Sequence, residues 1–191
     1  MIVGITGKYC AGKNVVGRIL AARGVDVIDV DKLGHSAVEE RKAEIVERFG
    51  AAVLGSDGKV DRRALGRRVF RDARALADLE ALVHPAMVAA VERRVAGRSG
   101  RDVAINAAIL LKLKLHRLCD FVLWIDAPLV KRLVRALRRD HLSLSQVLRR
   151  MWTQRKLSPQ HFGKSVDIYT VKNRGNEQRL AEIVYARVYK A

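Results

Sequence analysis

The chain has 191 residues, 49% of them hydrophobic, with 37 Lys and Arg against 20 Asp and Glu, for a formal net charge of +17. The apolar content supports a packed core and excludes a disordered chain, the length suits one α/β domain with insertions, and no apolar run reaches the roughly eighteen residues of a membrane span. A surface this basic attracts polyanions, either nucleic acid or a small ligand bearing several phosphates.

The opening MIVGIT lacks the basic, apolar and small-residue order of a signal peptide. Two distant cysteines, Cys10 and Cys119, read as free thiols, so a cytoplasmic location is expected. Residues 2–6, IVGIT, are short, β-branched and closed by Gly7, the pattern of a buried strand. Residues 13–24 place Val15, Val16, Ile19 and Leu20 at helical spacing, with Gly24 as a C-cap. Residues 25–31, VDVIDVD, predict a second strand, and 32–50 a helix or a broken pair. Residues 55–59 form a turn, and from Val60 to about Gly97 the pattern is helical, with Pro85 as a break. DVAIN, 102–106, is a third strand followed by a short helix near 109–117. FVLWIDA, 121–127, is a fourth, and Pro128 suits the first turn of the next helix. There Leu129, Val130, Leu133, Val134 and Leu137 share one face, while Lys131, Arg135, Arg138 and Arg139 share the other. A second helix from Leu144 to about Lys156, a weak strand near 168–172 and a helix from about Glu177 complete the chain. Strands alternating with helices imply a parallel sheet with right-handed crossovers. The helical stretches at 32–97 and 128–164 are too long for crossovers and read as insertions.

From Gly7 the spacing G-x-x-x-x-G-K runs through Gly12 to Lys13, after a strand and at the start of a helix. That is the context of a phosphate-binding loop. The glycines let backbone N–H groups curl inward, with Lys8, Tyr9, Cys10 and Ala11 between them. The helix adds its positive end, and Lys13 reaches the β- and γ-phosphates. The Cys10 side chain is expected to point away from the phosphates. The next position normally gives Mg²⁺ a hydroxyl; Asn14 offers an amide oxygen, a ligand directly, through water, or not at all. Asp29 and Asp31, two apart on a strand, would face one side at the edge where α/β ligands bind. Asp31 is the choice for the reacting carboxylate, as proton acceptor or Mg²⁺ holder; Asp29 caps the next helix or supports the loop.

These blocks, in order, resemble the dephospho-coenzyme A kinase family over nearly the whole chain. VGITGKYCAGKN matches the family's loop, and GVDVIDVDKLGH its second strand with the Asp. DGKVDRRALGRRVF, LADLEALVHPAM and RDHLSLSQVLRRMWTQ are similar to its later blocks, and Asn173 to its late Asn. The resemblance implies an α/β fold with a P-loop core (1–31, 98–127, 165–191) built on a five-stranded parallel sheet. It also implies a helical acceptor-binding domain (32–97) and a helical lid (128–164). It further implies transfer of phosphate from ATP, with Mg²⁺, to the ribose 3′-hydroxyl of dephospho-CoA. Gly7 to Asn14 and Asn173 would bind ATP, with Asn14 toward the metal. Lys13, Asp31, Arg139 and Arg150 would be catalytic, and Asp31, Arg62 and His84 would meet the acceptor. His84–Pro85 also reads as a helix break with a hydrogen-bonded ring. The chain departs from the family where Asn106 stands at an acidic position, Ala108 at a proline and Lys112 near a glutamate. Another small-molecule P-loop kinase, of nucleoside or nucleotide type, and a non-catalytic nucleotide or polyanion binder remain as alternatives. The basic excess reads as solvated helix faces or as a funnel for two polyphosphate substrates. With aromatics at 5%, nucleic acid is not an expected partner. A monomer or weak oligomer without membrane association is expected.

Overall fold

The computed structural model describes residues 1–140, 142–155, 157–162 and 165–189. Five parallel strands, β1 (Ile2–Gly7), β2 (Asp26–Asp29), β3 (Val103–Asn106), β4 (Phe121–Asp126) and β5 (Asp167–Lys172), form one sheet in the order β2–β3–β1–β4–β5. The helices are α1 (Lys13–Ala21), α2 (Val30–Glu40), α3 (Lys42–Phe49), α4 (Arg62–Val69), α5 (Ala73–Ala96), α6 (Leu129–Asp140), α7 (Leu144–Thr153) and α8 (Glu177–Val188). Contacts divide the chain into two compact units, Met1–Asp29 with Arg98–Ala191, and Val30–Gly97. No helix among the described residues is long and apolar enough to cross a membrane.

In the first unit β1 is central. All its residues but the first are buried, which is why IVGITG reads as a continuous apolar run instead of an alternating one. Helix α1 packs Val16, Ile19 and Leu20 against Val3, Ile5 and Ala104 of the sheet, and α8 adds Leu180, Val184 and Val188 to the same core. From β1 the chain passes through α1 to β2 on one side, whereas β3 is followed by β4 on the other. The order reverses beside β1, and such a reversal opens a crevice at the carboxyl ends of the strands. At that edge Asp29 of β2 lies in register with Asn106 of β3, which lies beside Ile5 of β1.

The second unit is helical. Asp61 caps α4 by accepting from the Arg63 and Ala64 N–H groups, and Asp72 caps α5 through the Arg74 N–H. The Val60 N–H donates to Glu39 Oε1 at 2.9 Å, and Arg48 of α3 pairs with Asp78 of α5. Ile45, Val53, Leu65, Val69, Val83 and Met87 are buried.

Four local expectations need correction. The second strand stops at Asp29, and Val30 and Asp31 open α2, so the two aspartates do not alternate along one strand. Pro85 lies inside the continuous α5. A proline removes one helical N–H, and the burial of Val83, Ala86, Met87 and Val91 along that helix holds it together. No α-helix forms near 109–117: Lys114 has a left-handed φ of 56°, which ends the turns there and starts a 3₁₀ segment, Leu115–Leu118. Helix α7 ends at Thr153, and Lys156 lies outside the described residues.

His116, in that 3₁₀ segment, is 6% exposed and packs edge-on against Phe162 at 5.5 Å. Its Nδ1 has no hydrogen-bond partner among the described residues. Burial, then the nearby Arg117 charge, push its pKa down against a weaker opposing hydrogen bond with the Leu110 backbone. The folded state therefore holds the neutral ring, while the unfolded chain takes up a proton below about pH 6.5. Stability from this group is complete above that pH and falls progressively below it. In urea unfolding at pH 7 and pH 5, the wild type should lose more stability on acidification than His116→Phe, whose slope should be flatter.

Candidate functional site

The loop between β1 and α1 is shaped by two glycines where a Cβ would meet both a left-handed backbone and an occupied space. Gly7 (φ 151°) would place a Cβ 2.4 Å from the Ile125 carbonyl oxygen, and Gly12 (φ 108°) one 2.3 Å from Asn173 Nδ2. Gly12 is the N-cap of α1, with no side-chain cap and no acidic residue in the first turn. The N–H groups and positive end of the helix are thus left for an anion.

A loop that turns its N–H groups inward must turn carbonyls outward, and these are paired from β5 and α6. The Tyr9 carbonyl accepts from Arg132 Nε at 2.8 Å. The Ala11 carbonyl accepts from Asn173 Nδ2 at 2.8 Å and from Arg135 Nη1 at 3.3 Å, and Arg135 Nη2 also donates to Asn173 Oδ1. Asn173 is 3% exposed and is anchored by its own N–H to the Asp126 carbonyl at 2.7 Å. From beyond α7, Gln154 Oε1 accepts the Tyr9 N–H at 2.6 Å, and the Arg155 carbonyl accepts from Lys8 Nζ. The guanidinium carbons of Arg139 and Arg150 stand 5.7 and 5.8 Å from the centre of the Tyr9 ring, within cation–π range. Cys10 (φ 59°) is buried in a small apolar cluster with Ala136, Val147 and Met151.

Helix α6 is oriented against the usual rule. Arg132 is 7% exposed and Ala136 fully buried, while Val130 is 71% and Leu129 60% exposed. Burial pushes the Arg132 guanidinium below its ordinary pKa, opposed by nearby Cys10 and Asp126. Its Nε bond to Tyr9 offsets part of the cost of that burial, while its Nη2 has no hydrogen-bond partner among the described residues. The division of this helix into an apolar and a basic face leaves Arg132 out and does not say which face turns inward. The spacing of Arg132, Arg135 and Arg139, at i, i+3 and i+7, was the available signal.

Between the loop and α6 lies a cleft of about 610 Å³, bordered by Lys13, Asn14, Arg135, Arg138, Arg139 and Asn173. Its size and its cations suit a nucleotide. At its floor Asn106 Nδ2 donates to Asn14 Oδ1 at 3.0 Å. No group of three or more His, Cys, Asp or Glu among the described residues could hold a metal ion. This donor set fits a divalent ion carried by nucleotide phosphates and water, with one neutral protein oxygen from Asn14.

Asp31 is exposed in the first turn of α2, where the helix dipole favours its charge. It belongs to the second unit, as do Arg62 and His84. Arg62 is exposed at the start of α4 and borders a cavity of about 590 Å³ with His35, Glu39, Asp57 and Asp61. His84 is half-buried within α5.

Residues 1–176 match the family model described as dephospho-CoA kinase. A dephospho-CoA kinase of Methylococcus capsulatus is 37% identical over 150 residues, 77% of this chain and 76% of that protein. A crystal structure of a Thermus thermophilus protein superposes with a TM-score of 0.82 at 30% identity, covering 100% of this chain and 97% of the other. The dephospho-CoA kinase of Campylobacter jejuni shares the fold, with a TM-score of 0.66 at 22% identity over 99% of this chain and 96% of the other.

Gly12→Ala should keep the far-UV circular dichroism of the wild type but weaken ATP binding, by roughly ten- to a hundredfold in calorimetry, because left-handed strain and the Asn173 clash fall on the cradle itself.

Proposed function

The chain belongs to the dephospho-CoA kinase family, and from that premise we propose how its residues divide the work. The reaction moves the γ-phosphoryl group of ATP to the ribose 3′-hydroxyl of dephospho-CoA, giving CoA and ADP, the last step of CoA biosynthesis. The 3′-oxygen forms a bond to the γ-phosphorus as the bond from that phosphorus to the bridging oxygen breaks. The hydroxyl proton goes to the Asp31 carboxylate.

The backbone from Gly7 to Asn14 and the Lys13 ammonium hold the ATP phosphates, and Asn173 fixes the loop that presents them. The observation that carries this is the pairing of the loop's outward carbonyls with Arg132, Arg135 and Asn173, which leaves its inner side to a polyanion. Arg139 and Arg150 stabilise the charge of the transferring phosphoryl group. The loose transition state of phosphoryl transfer makes such positioning worth more than a strong base. Asn14 would be the protein's own ligand to a bound Mg²⁺, which would supply positive charge at the nucleotide phosphates. The proposed division is a core of 1–31, 98–127 and 165–191, an acceptor-binding part of 32–97 and a lid of 128–164; by contacts Val30 and Asp31 go with the acceptor-binding part. Arg62 and His84 contact the acceptor; the cavity beside Arg62 supports its part in this. Cys10 and Cys119 are reduced and not joined in a disulfide, which suits the cytoplasm that we propose for the reaction. Burial, with Asp120 beside it, pushes the Cys119 thiol up to about 12, so it carries no thiolate chemistry at neutral pH.

In a coupled assay with ATP, Mg²⁺ and dephospho-CoA, Asp31→Asn should lower kcat by about 10²- to 10⁴-fold. ATP affinity should stay near the wild-type value. Unchanged turnover in Asp31→Asn would remove Asp31 from the reaction.

A further inference from the structure

The floor of the cleft departs from the usual chemistry of its position. In P-loop enzymes the residue after the loop lysine gives the metal a hydroxyl, and a strand carboxylate beside it supplies the negative charge. Here those places hold Asn14 and Asn106, and the two side chains bond to each other at 3.0 Å. The bond uses one of the two acceptor positions of Asn14 Oδ1. Asn106 is 5% exposed, and its own Oδ1 has no hydrogen-bond partner among the described residues. A buried acceptor is rarely left that way unless something else occupies it in the working state.

The pair is matched. An amide at 106 can donate to a carbonyl at 14, which a carboxylate cannot do. With Asp at 106, Asn14 would have to turn its NH₂ inward. Each asparagine therefore makes sense in the presence of the other. Together they remove one negative charge from the metal side of the site. On the phosphate side stand Lys13, Arg135, Arg138 and Arg139, and Glu177 is the one carboxylate bordering the cleft among the described residues.

We propose that Asn14 and Asn106 form a neutral amide bridge that shifts neutralisation of the nucleotide's phosphates from a metal ion to the cations of the loop and α6. Asn106 is the positioning residue, acting through Asn14. The inference rests on the nucleotide-site reading above. It concerns binding before any phosphate transfer, so it can fail while the kinase reaction stands.

The test is calorimetric titration of the full chain with ATP, in EDTA and in excess Mg²⁺, with Mn²⁺ binding to the ADP complex followed by electron paramagnetic resonance. Wild-type affinities in the two conditions should agree within about threefold, and Mn²⁺ should bind weakly. The double variant Asn14→Ser with Asn106→Asp should bind ATP at least about tenfold more tightly with Mg²⁺ than in EDTA, and should hold Mn²⁺ more firmly. The two single variants should deviate at least about twofold from multiplicative behaviour. Wild-type ATP binding that needs Mg²⁺ by tenfold or more overturns the proposal, and this outcome does not depend on any variant folding. Tight Mn²⁺ binding that is lost in Asp29→Asn also overturns it, by assigning the metal's charge to β2. Multiplicative single variants would overturn the matched pair. If the wild type binds no ATP in either condition, the nucleotide-site reading fails and takes the proposal with it.

Discussion

Everything at this site follows from one geometric constraint on a short loop. Backbone N–H groups that face an anion leave carbonyls facing the other way, and those carbonyls cannot be buried unpaired. The Asn173 amide meets the constraint most economically. It donates to the Ala11 carbonyl and accepts from Arg135, and its own backbone is bonded to the end of β4. One buried side chain thus links the loop, two strands and α6. Gly12 has to be glycine because that amide occupies the space a Cβ would need.

The orientation of α6 is the energetic counterpart. Leaving Leu129 and Val130 in water forgoes up to about 1.5–3 kcal/mol for each side chain. Turning the helix over would recover part of that. It would also take the Arg132 bond from the Tyr9 carbonyl, leave the Ala11 carbonyl with Asn173 alone, and move the guanidinium groups away from the cleft. A lost hydrogen bond that leaves a buried polar group unpaired costs about 1–3 kcal/mol, and more where a charge is involved. The orientation found keeps both Arg132 and Arg135 on loop carbonyls, at the cost of a buried Arg132 Nη2 without a partner among the described residues.

Much of this was legible in the residues. IVGIT, the two glycines, Lys13 and the alternation of strands with helices specify the sheet and the loop through local rules of period and backbone freedom. Asn173 could be named from resemblance, but its bond to a carbonyl 162 positions away is a tertiary fact that no local pattern encodes. Arg132 was hidden for a different reason. A helix with one apolar and one basic face does not say which face points inward when the interior itself contains backbone oxygens. Asp31 reads as part of a strand because VDVIDVD interleaves β-branched residues with aspartates, whereas the paired part of that strand ends when β3 ends, at Asp29 opposite Asn106. The two asparagines were each visible as departures; that they bond to one another was not.

The distance along the chain between the loop and its clamp also sets an order of assembly. During synthesis the glycine loop emerges early, together with the strand that carries it. The amide that closes its back follows directly on β5, and among the described residues β5 pairs with β4 alone. Until that last strand docks, the outward carbonyls must be satisfied by water, and the cradle has no fixed shape to offer a ligand. Nucleotide capture therefore depends on the docking of β5, and a chain cut short before residue 173 would carry the whole signature loop without the means to set it.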